Sequence, residues 1–322
     1  MEKLNVSRGT VQRILRAAGL ASPQKRRPPK YRSRRERRAQ EGMMLQTDGS
    51  RHDWLEGRGP PLTLLGFIDD ATGKVPLALF QLEGEDTAGY LRLTRQVVEQ
   101  HGVPLSIYRD QHSTFQRNDA HWTVEEQLAG TQAPTQLGRC WAELGITSIA
   151  ARSPQAKGRV ERLWRTFQDR LCSELRLAGA STLEQANAVL ERFLPVYNQQ
   201  FAQPAVQTGR AYRKLDARLD LDYIFALRYE RVVNPDHTIV VGADLRVQLP
   251  ALEGRAGYAG KKIEVCQQPN GDVKVYLNRR LVHAEAAEAG SAPVRARDLR
   301  RRSGPRKKQP VKAYAFAGRL AI

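Results

Sequence analysis

The sequence predicts an α/β protein: a five-stranded mixed sheet covered by helices, followed by a smaller all-β module. Three observations predict it. Between Met43 and Ala150, short apolar runs bounded by turn residues are interleaved with amphipathic stretches, in the order of three strands, helix, strand, helix, strand. Ser153 to Leu175 then keeps a helical period without interruption. From Arg228 to Ala284 the pattern becomes short alternating runs around an Asn270-Gly271 hairpin turn.

Each element has its own signal. Asn5 to Leu20 is a compact helix, with Ser7 as cap, an apolar stripe of Val11, Ile14, Leu15 and Ala18, and Gly19 to end it. Arg8, Gln12, Arg13 and Arg16 face outward from that stripe. The phrase VSRGTVQRILRAAGL resembles the turn and second helix of a helix-turn-helix, the helix that enters the major groove. Only four residues precede the turn, so residues 1–20 read as a partial motif whose apolar stripe lacks its partner helix. Residues 21–41 are a basic linker, with prolines at 23, 28 and 29, expected to be extended and to track phosphates.

Met43 to Asp48 is an apolar run that ends on an acid, and Leu62 to Asp69 is a second strand. The turn Asp70-Ala-Thr-Gly-Lys74 leads into a third, Val75 to Gln81, which Pro76 demotes to a sheet edge. Asp86 to Gln100 is a helix that buries Tyr90, Leu91, Leu93, Val97 and Val98. Leu105 to Tyr108 is a fourth strand, leading into Arg109-Asp110. Residues 112–139 form a polar insertion with some helix; a helix ends over Cys140 to Leu144, Gly145 stops it, and Ile146 to Ala150 is the fifth strand. The long helix follows, with Ser153 as N-cap and Pro154 at its first position. Val160, Leu163, Trp164, Phe167, Leu171 and Leu175 make its apolar stripe. Off the stripe stands Glu161 among Lys157, Arg159, Arg162 and Arg165, read either as a salt-bridged solvated face or as a metal-holding acid beside phosphate-holding cations. Residues 181–227 look helical, with Tyr197-Asn198 closing the stretch from Leu183. The predicted divisions are 1–20, 21–41, a core at 42–200, a helical connector at 201–227, a small β-barrel at 228–285 and a basic tail at 286–322.

Composition narrows the function. The chain has 322 residues, 41% of them hydrophobic, enough for two domains or one large domain with appendages. No apolar run approaches a membrane span and the start is polar, so the chain reads as soluble and cytoplasmic, with no membrane partner. Cys140, Cys172 and Cys266 are scattered, which argues against a disulfide framework and a zinc site, and the six histidines show no ligand spacing. The net charge of +18 is concentrated at the ends: residues 1–41 carry +10 and residues 294–322 carry +9, leaving −1 for the middle. Basic ends on a neutral globule point to a polyanion, most simply nucleic acid.

Three blocks carry a more specific resemblance: QTDGS at 46–50, YRDQHSTF at 108–115 and SPQAKGRVER at 153–162. They resemble the catalytic blocks of the DDE transposase and retroviral integrase superfamily, most closely bacterial insertion-sequence transposases. The gap between Asp110 and Glu161 is longer than in retroviral integrases, a departure that some insertion-sequence transposases share. The resemblance implies an RNase H-like core, with Asp48, Asp110 and Glu161 as catalytic metal ligands, and an SH3-like identity for the β module. It also implies DNA cleavage and strand transfer, with transposon-end DNA, target DNA and further copies of the chain as partners at the bacterial nucleoid. An RNase H-type nuclease and a truncated, non-catalytic regulator of transposition are the alternatives.

The residue types suit that chemistry. Phosphoryl transfer needs an in-line nucleophile and neutralisation of charge on the attacking and leaving oxygens, which two Mg²⁺ ions about 4 Å apart supply, with Mn²⁺ as a substitute. Such cations take oxygen ligands, hence carboxylates. Lys157, Arg159, Arg162 and Arg165 are the expected DNA-backbone contacts beside them. Lys261, Lys262, Arg279 and Arg280 suggest a further DNA-binding role for the β module. Asp53, Asp69 and Asp70 lie near the first block, but strand ends or turns explain them.

Overall fold

The computed structural model describes residues 6–20, 35–82, 84–117, 119–151, 158–241, 246–250 and 257–286. The chain divides into two compact units, Met1–Ile224 and Phe225–Ile322, three residues short of the boundary expected from sequence.

The first unit is built on a five-stranded sheet in the order β3-β2-β1-β4-β5. Its strands are β1 (Leu45–His52), β2 (Leu62–Asp69), β3 (Leu77–Gln81), β4 (Ser106–Arg109) and β5 (Thr147–Ala150). β1, β2 and β3 are antiparallel neighbours, whereas β4 runs parallel to both β1 and β5. A five-stranded mixed sheet is what the sequence predicts. β2 is buried along its whole length, as befits a strand covered on both faces, and its sequence LTLLGFID is correspondingly almost continuous apolar. β3 starts after Pro76, so the proline stands at the strand's entrance rather than inside it. β1 runs four residues past Asp48 rather than ending there.

The helices are α1 (Arg8–Ala17), α2 (Thr87–His101), α3 (Val124–Ala129), α4 (Gln136–Glu143), α5 (Gly158–Leu177), α6 (Leu183–Phe201) and the short α7 (Leu221–Ile224). Ser7 caps α1 as expected, and none of that helix is buried; Val11, Ile14 and Leu15 are exposed. Asp86 caps α2 by accepting from the Gly89 N–H. All six stripe residues of α5 are buried, in a cluster shared with Leu62, Leu64 and Ile68 of β2 and with Val189, Phe193 and Tyr197 of α6. Alternate residues of β2 therefore face α5 and α6. The expected N-cap Ser153 and the first-position Pro154 lie outside the described residues.

Two expectations are corrected. Tyr197-Asn198 does not close α6, which continues to Phe201 through Pro195. Asn198 instead grips the chain just before β3: its Oδ1 accepts from the Val75 N–H at 2.8 Å and its Nδ2 donates to the Val75 carbonyl at 2.9 Å. Asn187, three turns earlier, does the same to Phe80 of β3 at 2.8 and 3.2 Å. The connector at 201–227 is also mostly not helical, since residues 202–220 are irregular. Its backbone pairs with the core instead, through bridges from Arg210 to Glu41 and from Arg213 to Val103.

The second unit is all-β among its described residues. A four-stranded sheet has the order β11-β10-β9-β6, formed by β6 (Leu227–Val232), β9 (Lys262–Gln267), β10 (Val273–Leu277) and β11 (Arg280–Glu285). β7 (Thr238–Val240) and β8 (Arg246–Gln248) make a separate antiparallel pair. Asn270-Gly271 turns β9 into β10, with Gly271 at φ 96°. Val233, Ile239, Val247, Tyr258, Val265 and Val275 fill its core.

Candidate active site

The site lies where the antiparallel half of the sheet meets the parallel half. β1 pairs with β4 through Leu45↔Ile107 and Gln46↔Tyr108. Two residues further along each strand direction come Asp48 and Asp110, the latter one residue past the end of β4. Residues two apart share a face, so this register carries both acids to one level of the sheet and one side of it. Asp110 also accepts from the His112 N–H at 2.9 Å, which turns the chain away from the strand end.

Glu161 comes from the covering helix. Asp48 is paired across the sheet with Gly66, and the ring of Trp164 occupies the space that Gly66 leaves: a Cβ there would lie 2.9 Å from the indole. The Trp164 Nε1–H donates to Asp48 Oδ2 at 3.2 Å. Glu161 is three residues before Trp164 on α5, a spacing that makes the two neighbours on the helix surface, and it is exposed. The seam thus gathers Asp48 and Asp110, and Trp164 ties the Glu161 turn to Asp48. Among the described residues no group of three His, Cys, Asp or Glu side chains stands close enough together to hold a metal ion. Asp48, Asp110 and Glu161 are all carboxylates, the oxygen-donor type that a hard divalent cation takes.

One further acid belongs to this neighbourhood, and sequence reasoning misses it. Glu85 lies in the turn before α2, directly ahead of the cap Asp86, where no periodicity marks it. Its Oε1 accepts from the Tyr90 hydroxyl at 2.7 Å, and its Oε2 occupies the space beside Gly49, where a Cβ would come within 2.7 Å. Burial pushes the Glu85 carboxyl up, the Tyr90 bond acts against that, and the charges of Asp48 and Asp110 push it further up. Tyr90, fully buried, is raised for the same reasons: burial first, then the charge and hydrogen bond of Glu85. The glycine of QTDGS is explained by this close approach.

The predicted cations fare differently. Arg162 and Arg165 are exposed on α5, and Arg8, Gln12, Arg13 and Arg16 are exposed on α1. Lys157 lies outside the described residues. Arg159 is already engaged: its guanidinium is ion-paired with Asp70 and donates to the Arg35 carbonyl at 2.7 Å. Asp69 and Asp70, expected as turn residues, are both buried. Asp69 holds the turn through the backbone N–H groups of Thr72 and Gly42, each at 2.8 Å, and burial raises its carboxyl against those bonds. Asp53 accepts from the Gly57 N–H at 3.2 Å, a local turn contact. In the second unit Lys261, Lys262, Arg279 and Arg280 are exposed, and Lys262 pairs with Glu230 at 3.0 Å.

No protein-family model matches the chain. Over 276 residues it is 36% identical to the Sinorhizobium fredii protein named "Putative transposase y4bF", an alignment covering 85% of this chain and 58% of that protein. Over 252 residues it is 31% identical to the transposase for insertion sequence IS1202 of Streptococcus pneumoniae, covering 78% of this chain and 52% of that one. Among solved structures, the catalytic core domain of BIV integrase aligns at 18% identity with a TM-score of 0.32, over 48% of this chain and 82% of the core. No helix among the described residues is long and apolar enough to cross a membrane. The chain spans little more than half the length of the curated relatives it matches, and by sequence it is a relative of the insertion-sequence transposases.

Proposed function

We propose that the chain is a DDE transposase, a polynucleotidyl transferase that cleaves 3′ ends of an insertion sequence and joins them to target DNA. The observation that carries this reading is the register at the β1–β4 seam, which brings Asp48 and Asp110 to one level while Trp164 links Asp48 to the turn bearing Glu161. The similarity to transposases supports the substrate class.

Asp48, Asp110 and Glu161 would hold the cations, two Mg²⁺ or Mn²⁺ in their place. When bound, these ions stabilise charge on the attacking and leaving oxygens of an in-line displacement. The protein's own part is placement. β1 carries Asp48 within the strand, Asp110 follows the end of β4, and Trp164 donates to one oxygen of Asp48. Water is the nucleophile in the first displacement, breaking the bond between phosphorus and the 3′ oxygen at the element's end. The freed 3′ hydroxyl is the nucleophile in the second, forming a new phosphodiester with target DNA as a target 3′ oxygen departs, so the number of phosphodiester bonds is conserved in joining. Arg162 and Arg165, exposed on the same helix as Glu161, would bind the DNA backbone. α1 would act as a recognition helix and the second unit as an accessory DNA-binding module of SH3-like type. Terminal DNA, target DNA and further copies of the chain are the partners, since two ends must be joined in one complex.

The test is strand transfer with the element's own terminal DNA and Mg²⁺. Asp48→Asn, Asp110→Asn and Glu161→Gln should each reduce joining by at least about a thousandfold while DNA affinity changes less than about threefold, since each removes a cation ligand and no phosphate contact. Joining retained by one of the three variants would remove that residue from the site.

A further inference from the structure

The basic linker and the helix that bears Glu161 meet on one buried carboxylate. Asp70 opens the turn after β2, and its side chain is 0% exposed. Arg35 donates to it through both terminal nitrogens, at 3.3 and 2.5 Å. The Arg38 N–H donates at 2.8 Å and Gln46 Nε2 at 2.6 Å, and Arg159 completes the set. Arg37 donates to the carbonyls of Asp70 and Ala71 at 3.1 and 3.2 Å. The Arg35 guanidinium also lies over the ring of Tyr108, two residues before Asp110, at 5.9 Å from its centre.

Rows on the sheet explain why this matters. Gln46 and Asp48 are two apart on β1 and share a face. Gln46 holds Asp70, which holds Arg159; Asp48 holds Trp164. The start of α5 is therefore pinned at two points, Arg159 and Trp164, and Glu161 lies between them. A first helical turn has no intrahelical partners for its N–H groups and frays unless something holds it. We propose that Asp70 couples the basic arm to this turn, and that Arg159 is a positioning residue for Glu161 rather than a phosphate contact. The role assigned to Glu161 rests on the transposase reading; the coupling of arm to helix does not. An arm engaged on DNA would hold residues 35–38 against Asp70, and Asp70 would hold Arg159 in turn. DNA capture would thereby set the Glu161 turn in place.

Hydrogen exchange on the full chain, free of DNA and metal, tests the coupling. Arg159→Met should speed exchange in residues 35–41 and in residues 158–163 together, by about tenfold, and Arg159→Lys should restore part of the protection. Arg35→Met should speed exchange in residues 158–163 although Arg35 is not on α5. If either variant loosens only its own segment, the coupling is overturned. DNA affinity across a salt series tests the assignment of Arg159. Its Met variant should keep the wild-type log–log slope, whereas removing a phosphate contact lowers it by about 0.9, and such a drop would overturn the assignment. In strand transfer, Arg159→Met should raise the Mg²⁺ needed for half-maximal joining by about tenfold, and an unchanged requirement would remove the link to Glu161. Should the wild-type chain fail to join terminal DNA, the transposase reading fails alone, and exchange and salt slope still decide the coupling.

Discussion

At position 66 one added methyl group would reach the candidate site. A Cβ there would press on the Trp164 ring at 2.9 Å, so Gly66→Ala must lift the indole from Asp48. Overpacking of this kind costs about 1–3 kcal/mol. Thermal unfolding should show that loss, and joining should fall by about tenfold beyond it, because the strained contact is the one that aligns Asp48. Joining at the wild-type rate would mean that the Trp164 bond plays no part. Glu85 gives a test in pH. Its carboxyl is raised from the ordinary value of 4.5, burial being the chief cause. Below that ordinary value it is neutral in both folded and unfolded chains and costs nothing. As pH rises through its raised folded value, ionisation destabilises the fold. Glu85→Gln, in buffer free of divalent ions, should therefore unfold at a higher temperature than wild type at pH 8 and at the same temperature at pH 4. An equal gap at both pH values would contradict a buried, repelled carboxylate.

At the scale of elements, α6 shows how an edge strand can be closed by side chains. β3 is the outer strand of its sheet, and Asn187 and Asn198 meet the backbone at Phe80 and Val75 as a neighbouring strand would. Asn187→Ala and Asn198→Ala should each cost about 1–3 kcal/mol, for the backbone groups left unpaired. Three turns apart, the two losses should add in denaturant unfolding of the double variant. The contrast with α5 shows what a sequence makes legible. The stripe from Val160 to Leu175 can be read because helical period is local and every stripe residue is buried. Asn198 can be seen but not understood, because its partner lies 123 residues away. Glu85 is hidden behind Asp86, whose cap signal accounts for the turn by itself. The 202–220 segment is not the helix expected of it: Pro204 and Gly209, the latter at φ 86°, interrupt it, and its hydrogen bonds go to Ala39, Glu41 and Val103 instead. Asp48 and Asp110 are legible as types, but their shared level depends on pairing between strands that are distant in the chain.

Over the whole molecule, charge is arranged with the ends basic and the middle neutral. Residues 294–322 hold ten Lys or Arg and a single Asp. Their removal should weaken binding to any duplex and flatten its salt dependence by about 0.9 for each phosphate they neutralise, while the unfolding temperature of the remainder stays put. An unchanged slope in a salt titration would show that the tail touches no phosphate. The β1–β4 seam has a consequence of another kind, in time. Its two pairs of residues join positions 62 apart in sequence, and the Glu161 turn follows some 50 residues later. Contacts of such range form slowly, because loop closure must precede any gain from pairing. A one-residue slip there would turn Asp48 to the opposite face. If the proposed transposase function holds, a chain still emerging from synthesis, or trapped with its antiparallel half alone, would bind DNA without a cutting centre. On that reading, the ability to break DNA would arrive only when the last strands close.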